Sequence, residues 1–181
     1  MYREKAPNAR GVRRVLEAFA ANVLDYEEFV GRLRKGNGID TLLLTGNYPS
    51  DWVIDSFMQA IDSQGNKNVI LLDTLPNKLT EIADVVIPAA TWMEKAGTFE
   101  NVNNTLQAFS RAINPIDYCK SESQIALDLE AERSDEDVVV YDAAMVRQSM
   151  ADVHNLSEFV SDVSQPPESK KVESDMEVVK L

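Results

Sequence analysis

Residues Thr41–Pro88 read TLLLTGNYPSDWVIDSFMQAIDSQGNKNVILLDTLPNKLTEIADVVIP, and three short apolar runs punctuate them: Thr41–Thr45, Asn68–Leu72 and Asp84–Pro88. The first run has no polar alternation and stops at Gly46-Asn47-Tyr48-Pro49, which predicts a strand buried on both faces of a parallel sheet. Between the first two runs, Val53, Ile54, Phe57, Met58 and Ile61 recur at helical spacing and predict a helix over 51–62. Leu79–Ile82 supplies only a helical turn before the third run. Strand, helix, strand, short helix, strand is the alternation of an open parallel sheet whose ligand site lies at the carboxyl ends of its strands. The fold class is therefore α/β and Rossmann-like: a mostly parallel open sheet flanked by helices, with a helical C-terminal extension. The loops that leave those ends are 46–49, 73–77 and 89–104.

Working outward, Val12, Val15, Leu16, Phe19, Val23 and Leu24 predict an amphipathic helix over 11–24. Asp25 followed by Glu28 has the form of a capping box, and Gly36 is a stop signal, so a second helix follows directly. Beyond Pro115, Ser121 with Gln124 opens another capped helix, and Ala143, Ala144, Val146 and Met150 mark one more. Residues 165–181 carry Pro166-Pro167 and mixed charge with few apolar anchors, which predicts a disordered tail. The expected organisation is an N-terminal helical segment over 1–35, an α/β core over 36–115, a helical extension over 116–164 and the tail over 165–181.

Composition narrows the function classes. A chain of 181 residues, 44% of them hydrophobic, can fill one core of ordinary size. Its net charge is −12, distributed as +3 over 1–35, −5 over 36–115 and −10 over 116–181. That balance argues against nucleic-acid binding, while a basic N-terminal helix beside an acidic C-terminal region offers either complementary surfaces within an assembly or simply solvated faces. No apolar run approaches the roughly 18 residues of a membrane span, and Met1–Lys5 does not begin a signal peptide, so a soluble cytoplasmic protein is expected. Cys119 and His154 are each the sole residue of their type. The expectation is no disulfide, zinc centre or iron–sulfur cluster, with Cys119 an incidental or buried thiol and His154 a solvated or capping side chain.

Two glycine-bearing stretches need separating. Gly36-Asn37-Gly38 precedes a strand, and the third glycine of a dinucleotide fingerprint would fall on Thr41, so it is not one. Gly46 follows a strand and precedes a helix, where it could admit a phosphate to backbone amides or simply form a tight turn. Glu94, Gly97, Thr98 and Asn101 bring a carboxylate, a permissive glycine with a turn, a hydroxyl and an amide together just after the third strand. These groups can hold the edge of a guanine or pterin by hydrogen bonds, or satisfy the backbone of a long loop.

The segment Ala83–Pro115, ADVVIPAATWMEKAGTFENVNNTLQAFSRAINP, resembles one carried by molybdopterin oxidoreductases, matching at Ala83, Asp84, Val85, Val86, Pro88, Glu94, Gly97, Thr98, Asn101 and Gln107. Gly46-Asn47-Tyr48-Pro49 stands where that family has a Gly-x-Asn-Pro turn, and Asp73-Thr74 where it has a polar loop at a strand end. Within the superfamily the chain is most similar to the C-terminal part of the large iron–sulfur subunit of NADH-quinone oxidoreductase (NADH dehydrogenase, respiratory complex I). Pro7–Gly11, Leu44–Trp52 and Lys120–Leu129 carry that likeness, over roughly residues 6 to 152. The family's Glu-Gly-Arg after the asparagine is replaced by Val102-Asn103-Asn104-Thr105, without the arginine, and its cysteine-rich half is not in this sequence.

The resemblance implies a scaffold part of an oxidoreductase, not catalytic as an isolated chain, whose partners are other subunits of a respiratory complex. It implies no cofactor in this chain and a cytoplasmic place, with a peripheral position on the inner membrane open to it through the complex. The residues it assigns to a vestigial or functional pterin-nucleotide site are Gly46, Asn47, Asp73, Thr74, Glu94, Gly97, Thr98 and Asn101. One alternative is a part of a formate dehydrogenase-like molybdenum enzyme, contributing to a molybdopterin guanine dinucleotide site. Another is a free-standing nucleotide-binding regulatory domain.

Overall fold

A computed structural model of the chain describes residues 8–19, 22–36, 38–48, 51–63, 68–116, 118–152 and 156–166. His154, Pro49 and the tail beyond residue 166 lie outside the described residues.

Helix α1 spans Ala9–Phe19, shorter than predicted, and residues 22–25 are not helical. The start of α2, Tyr26–Lys35, explains why helix does not run through this stretch. Its N-cap Asp25 needs extended backbone (φ −76°, ψ 172°) to accept the Glu28 N–H at 2.9 Å while Glu28 Oε2 accepts the Asp25 N–H at 3.3 Å. At the other end Gly36 adopts φ 64° and its N–H donates to the Leu33 carbonyl, the left-handed closure that glycine permits without steric cost.

Strands β1 (Thr41–Thr45), β2 (Asn68–Asp73) and β3 (Val85–Pro88) form one parallel sheet in the order β1-β2-β3, with Leu43 opposite Ile70 and Ile70 opposite Val85. Helix α3 occupies Asp55–Asp62 and begins four residues later than the periodicity predicts. Asp51 Oδ1 accepts the Val53 N–H at 3.1 Å, and Ile54 caps the helix with extended backbone, so these residues form a turn instead of a first helical turn. Val53 is buried nevertheless, whereas Ile54 faces solvent.

One face of the sheet carries the main core. Leu42, Leu44, Val69 and Leu71 meet Val30 and Leu33 of α2, Phe57, Ala60 and Ile61 of α3, and Leu79 from a 3-10 turn at Lys78–Glu81. A fully buried leucine contributes about 2 kcal/mol from lost water contact, so this cluster dominates the stability of the fold. The other face departs from the expectation of burial on both sides. Leu43 is 54% and Val85 48% exposed there, and among the described residues cover comes where Ile125 of α4 (Glu122–Ser134) packs on Leu72 and Ala89.

The region read as a loop over 89–104 contains structure of its own. After a 3-10 turn at Trp92–Glu94, β4 (Gly97–Glu100) pairs antiparallel with β5 (Leu106–Phe109) in a separate two-stranded sheet. Gly97-Thr98 thus opens a strand rather than a turn. The hairpin closes because Asn101 Oδ1 accepts the N–H groups of Asn103 and Thr105 at 2.9 and 3.0 Å, while Asn104 takes φ 61°, a conformation asparagine tolerates. Helices α1, α5 (Ala143–Ala151) and α6 (Glu158–Ser161) accompany this hairpin, around a small core of Leu106, Leu156 and Phe159 with Val15 and Met150 against it.

Candidate functional site

The carboxyl ends of β1 and β2 meet at one buried carboxylate. Asp73, the last residue of β2, is 6% exposed. It accepts the backbone N–H of Asn47 at 2.8 Å and of Thr74 at 2.7 Å, the indole Nε1–H of Trp52 at 3.0 Å and the amide Nδ2–H of Asn77 at 2.8 Å. Burial by itself would raise this carboxyl. The bonds from the Asn47 amide, the Trp52 indole and the amides of Thr74 and Leu75 outweigh burial and hold it below the ordinary aspartate value.

Gly46 makes this approach possible. A Cβ on it would lie 2.0 Å from Asp73 Oδ2 and 2.7 Å from the Trp52 nitrogen, so only glycine fits between them. The next residue, Asn47, turns the chain with φ 67° and sends its side chain the other way, its Nδ2–H donating to Glu122 at the start of α4. Glu122 also pairs with Lys95 Nζ at 2.7 Å. A polar chain therefore runs from Asp73 through Asn47 and Glu122 to Lys95, joining the strand ends to the segment before β4. Asn47 Oδ1 is buried and has no hydrogen-bond partner among the described residues. Above Asp73 lies a cavity of about 180 Å³ lined by Tyr48, Asp51, Trp52, Leu75, Pro76 and Asn77.

Glu94 is built differently. It closes the 3-10 turn by accepting the Thr91 N–H at 2.6 Å and the Thr91 hydroxyl at 2.9 Å, and its other oxygen accepts the Ile116 N–H at 3.2 Å. The Thr91 backbone and hydroxyl bonds chiefly, with the Ile116 amide, hold its carboxyl below the usual glutamate value. Gly97 and Thr98 sit farther along, in β4. A Cβ at Gly97 would meet the Phe109 ring at 3.1 Å, and Thr98 Oγ1 accepts a bond from Arg147 at 3.3 Å. Asn101 is occupied with the hairpin turn, and its Nδ2–H donates to Gln107 at 3.3 Å.

The order of these features along the chain is that of a known family, whose model, for molybdopterin oxidoreductases, matches residues 18–153. The chain belongs to the molybdopterin oxidoreductase family. Its relatives include a nitrate reductase of Symbiobacterium thermophilum, 33% identical over 61 residues, which cover 34% of this chain and 8% of the relative. An F420-dependent formate dehydrogenase subunit alpha of Methanocaldococcus jannaschii is 34% identical over 82 residues, covering 44% of this chain and 12% of the relative. A formate dehydrogenase 1 subunit alpha of the same F420-dependent type, from Methanococcus maripaludis, is 37% identical over 46 residues, covering 25% of this chain and 7% of the relative. The matched stretches thus amount to about a tenth of the first two relatives.

Of the eight residues singled out by resemblance to molybdopterin oxidoreductases, Gly46, Asn47, Asp73 and Thr74 converge on one cluster. Glu94 adjoins it through its neighbour Lys95, whereas Gly97, Thr98 and Asn101 belong to the hairpin. The cluster also depends on Trp52, Asn77, Lys95 and Glu122, which the motifs alone did not place in it. Trp52 and Asn77 were legible as neighbours of the two strand-end loops. Nothing local signals that the first turn of α4 returns to the end of β1. Among the described residues no group of three or more histidine, cysteine, aspartate or glutamate side chains is arranged to hold a metal ion, and no helix is long and apolar enough to cross a membrane.

Proposed function

We propose that this chain is an architectural module of a molybdopterin-oxidoreductase-type assembly, with the reacting and electron-carrying centres supplied by other parts of that assembly. One observation carries the reading: Asp73, the carboxylate at the strand ends, spends its acceptor capacity on donors of its own chain, and the space above Gly46 is filled by that carboxylate and Trp52. A pterin guanine dinucleotide does not fit this edge of the chain taken by itself. The cavity there is about 180 Å³, below the roughly 300 Å³ at which ligand clefts begin, and the backbone amide of Asn47 is committed to Asp73. We therefore assign Asp73, Glu94 and their neighbours to holding the loops at the strand ends. In the finer form of this reading the assembly is NADH-quinone oxidoreductase, the chain standing as the C-terminal part of its large iron–sulfur component among the other respiratory subunits, as the motifs around Gly46 and Ser121 suggest.

A second reading draws support from the names of the relatives and from Asn47 Oδ1, a buried acceptor without a donor. In it the chain completes a formate dehydrogenase-like enzyme with a separately encoded partner, and Asn47 accepts a hydrogen bond from a pterin nucleotide held between the two. The deciding experiment is gentle purification of the chain with whatever subunits accompany it, followed by acid release and fluorescence of oxidised pterin. The architectural reading expects none at stoichiometric level on a preparation whose partners are NADH-oxidising subunits. One pterin per chain, lost on Asn47→Ala, would establish the second reading instead.

A further inference from the structure

Away from the strand-end cluster, a cavity of about 270 Å³ lies between α1, β4 and α5. Its walls are mostly apolar, with Val12, Val15 and Leu16 from α1, Val146 and Met150 from α5 and buried Phe159 beneath, and Asn8, Thr98 and Tyr141 add polar groups. Val12 and Leu16 are half-exposed, so the cavity reaches solvent on the α1 side. One cation interrupts this lining. Arg147 is half-buried, and its described hydrogen bond is a single contact at 3.3 Å to Thr98 Oγ1; among the described residues it forms no ion pair. The contrast with Arg14 is direct, since that guanidinium, on the same side of the hairpin, is held by two carboxylates.

A guanidinium has five N–H donors in a planar fork suited to a carboxylate, and among the described residues most of them are uncommitted, at the edge of a mostly apolar chamber. An apolar wall with one fixed cation is the lining that orients a small amphipathic anion. We propose that this cavity binds a small monocarboxylate with an aliphatic tail, the carboxylate on Arg147 beside Thr98 and the tail against Val15, Val146 and Met150. The volume, about 270 Å³, falls just short of the roughly 300 Å³ at which clefts for drug-sized ligands begin, which limits the ligand to a short or medium chain and excludes a nucleotide. This site is independent of the strand-end cluster and of the role proposed for it.

Octanoate and octanol, titrated into the full chain at neutral pH and followed by methyl NMR, test the assignment. Octanoate should give saturable shifts at Val12, Val15, Leu16, Val146 and Met150 and bind at least about tenfold tighter than octanol. Arg147→Gln should weaken octanoate about tenfold or more while leaving octanol unchanged, which also shows that the chamber is intact in the variant. The proposal fails if those methyls do not respond to octanoate, or if Arg147→Gln binds octanoate as tightly as the parent chain. Should the variant lose octanol too, the comparison in the parent chain decides alone: equal binding of octanoate and octanol overturns the proposal.

Discussion

Leu71 in the parallel sheet and Glu100 in the hairpin are both nearly sealed from water, yet their surroundings ask different things of the chain. Leu71 is packed among Leu42, Leu44, Phe57 and Leu79, each of which gains by burial whatever its exact partner. Glu100 has to be matched. Its Oε1 accepts from Arg14 at 2.6 Å, Arg14 also pairs with Glu158, and Glu100 Oε2 is buried without a partner. Arg14 keeps a third of its side chain in water while Glu100 is almost sealed, so the pair adds little net stability but its rupture would leave a buried carboxylate uncompensated. The sheet side is thus held by volume, and the hairpin side by specific charges set beside a small apolar core. Two predictions separate these forces.

Leu71→Ala should cost about 4 kcal/mol in urea unfolding, near the upper part of the range for buried leucines, because β2 is the central strand and cannot collapse around the lost volume. Arg14→Ala should cost about 3 kcal/mol, mostly through the uncompensated Glu100 carboxylate, and Glu100→Gln in the same background should recover much of it. Amide hydrogen exchange should rise in β4, β5 and α6 and stay low in β2. Uniform loss of protection in both sheets would contradict the division.

These differences also decide what could be read in the sequence. Apolar runs and caps announce themselves locally, so β1, β2 and β3, the Asp25–Glu28 box and the Gly36 stop were all legible. Burial on the second face of β1 was not, because an unbroken Leu-Leu-Leu run does not say which face a helix covers. The late start of α3 was hidden for a related reason: Val53 fits the helical stripe and is buried, but Asp51 claims its N–H for a turn. In the hairpin, Asn101 and Asn104 are turn residues whose meaning appears only once Gly97–Glu100 and Leu106–Phe109 are known to pair. At the site, Gly46, Asn47 and Asp73 lie on adjacent strand ends and were found by topology. Their link to Glu122 spans 75 positions and has no local mark.

The strand-end cluster belongs to neither extreme, and its acid response sharpens the comparison. The folded Asp73 carboxyl titrates below its unfolded value, so its stabilisation is complete above about pH 5 and is lost as pH falls through the unfolded aspartate range near 4 and on toward the depressed folded value. Asp73→Asn should therefore lower stability at pH 7 by about 2 kcal/mol and flatten the acid limb of the stability profile. The smallest effect is expected at Gly97→Ala, below about 1 kcal/mol, because the added methyl meets only the Phe109 ring at 3.1 Å and the backbone there is not left-handed.

Trp52 reports directly on the central claim, that the carboxyl edge of the sheet is closed by its own chain, since its indole donates to Asp73 at 3.0 Å. Titrating guanosine diphosphate into the intact chain while following tryptophan fluorescence should give no saturable change up to millimolar concentration. Saturation in the micromolar range, abolished by Asn47→Ala with urea stability unchanged, would contradict it and return these residues to a nucleotide site.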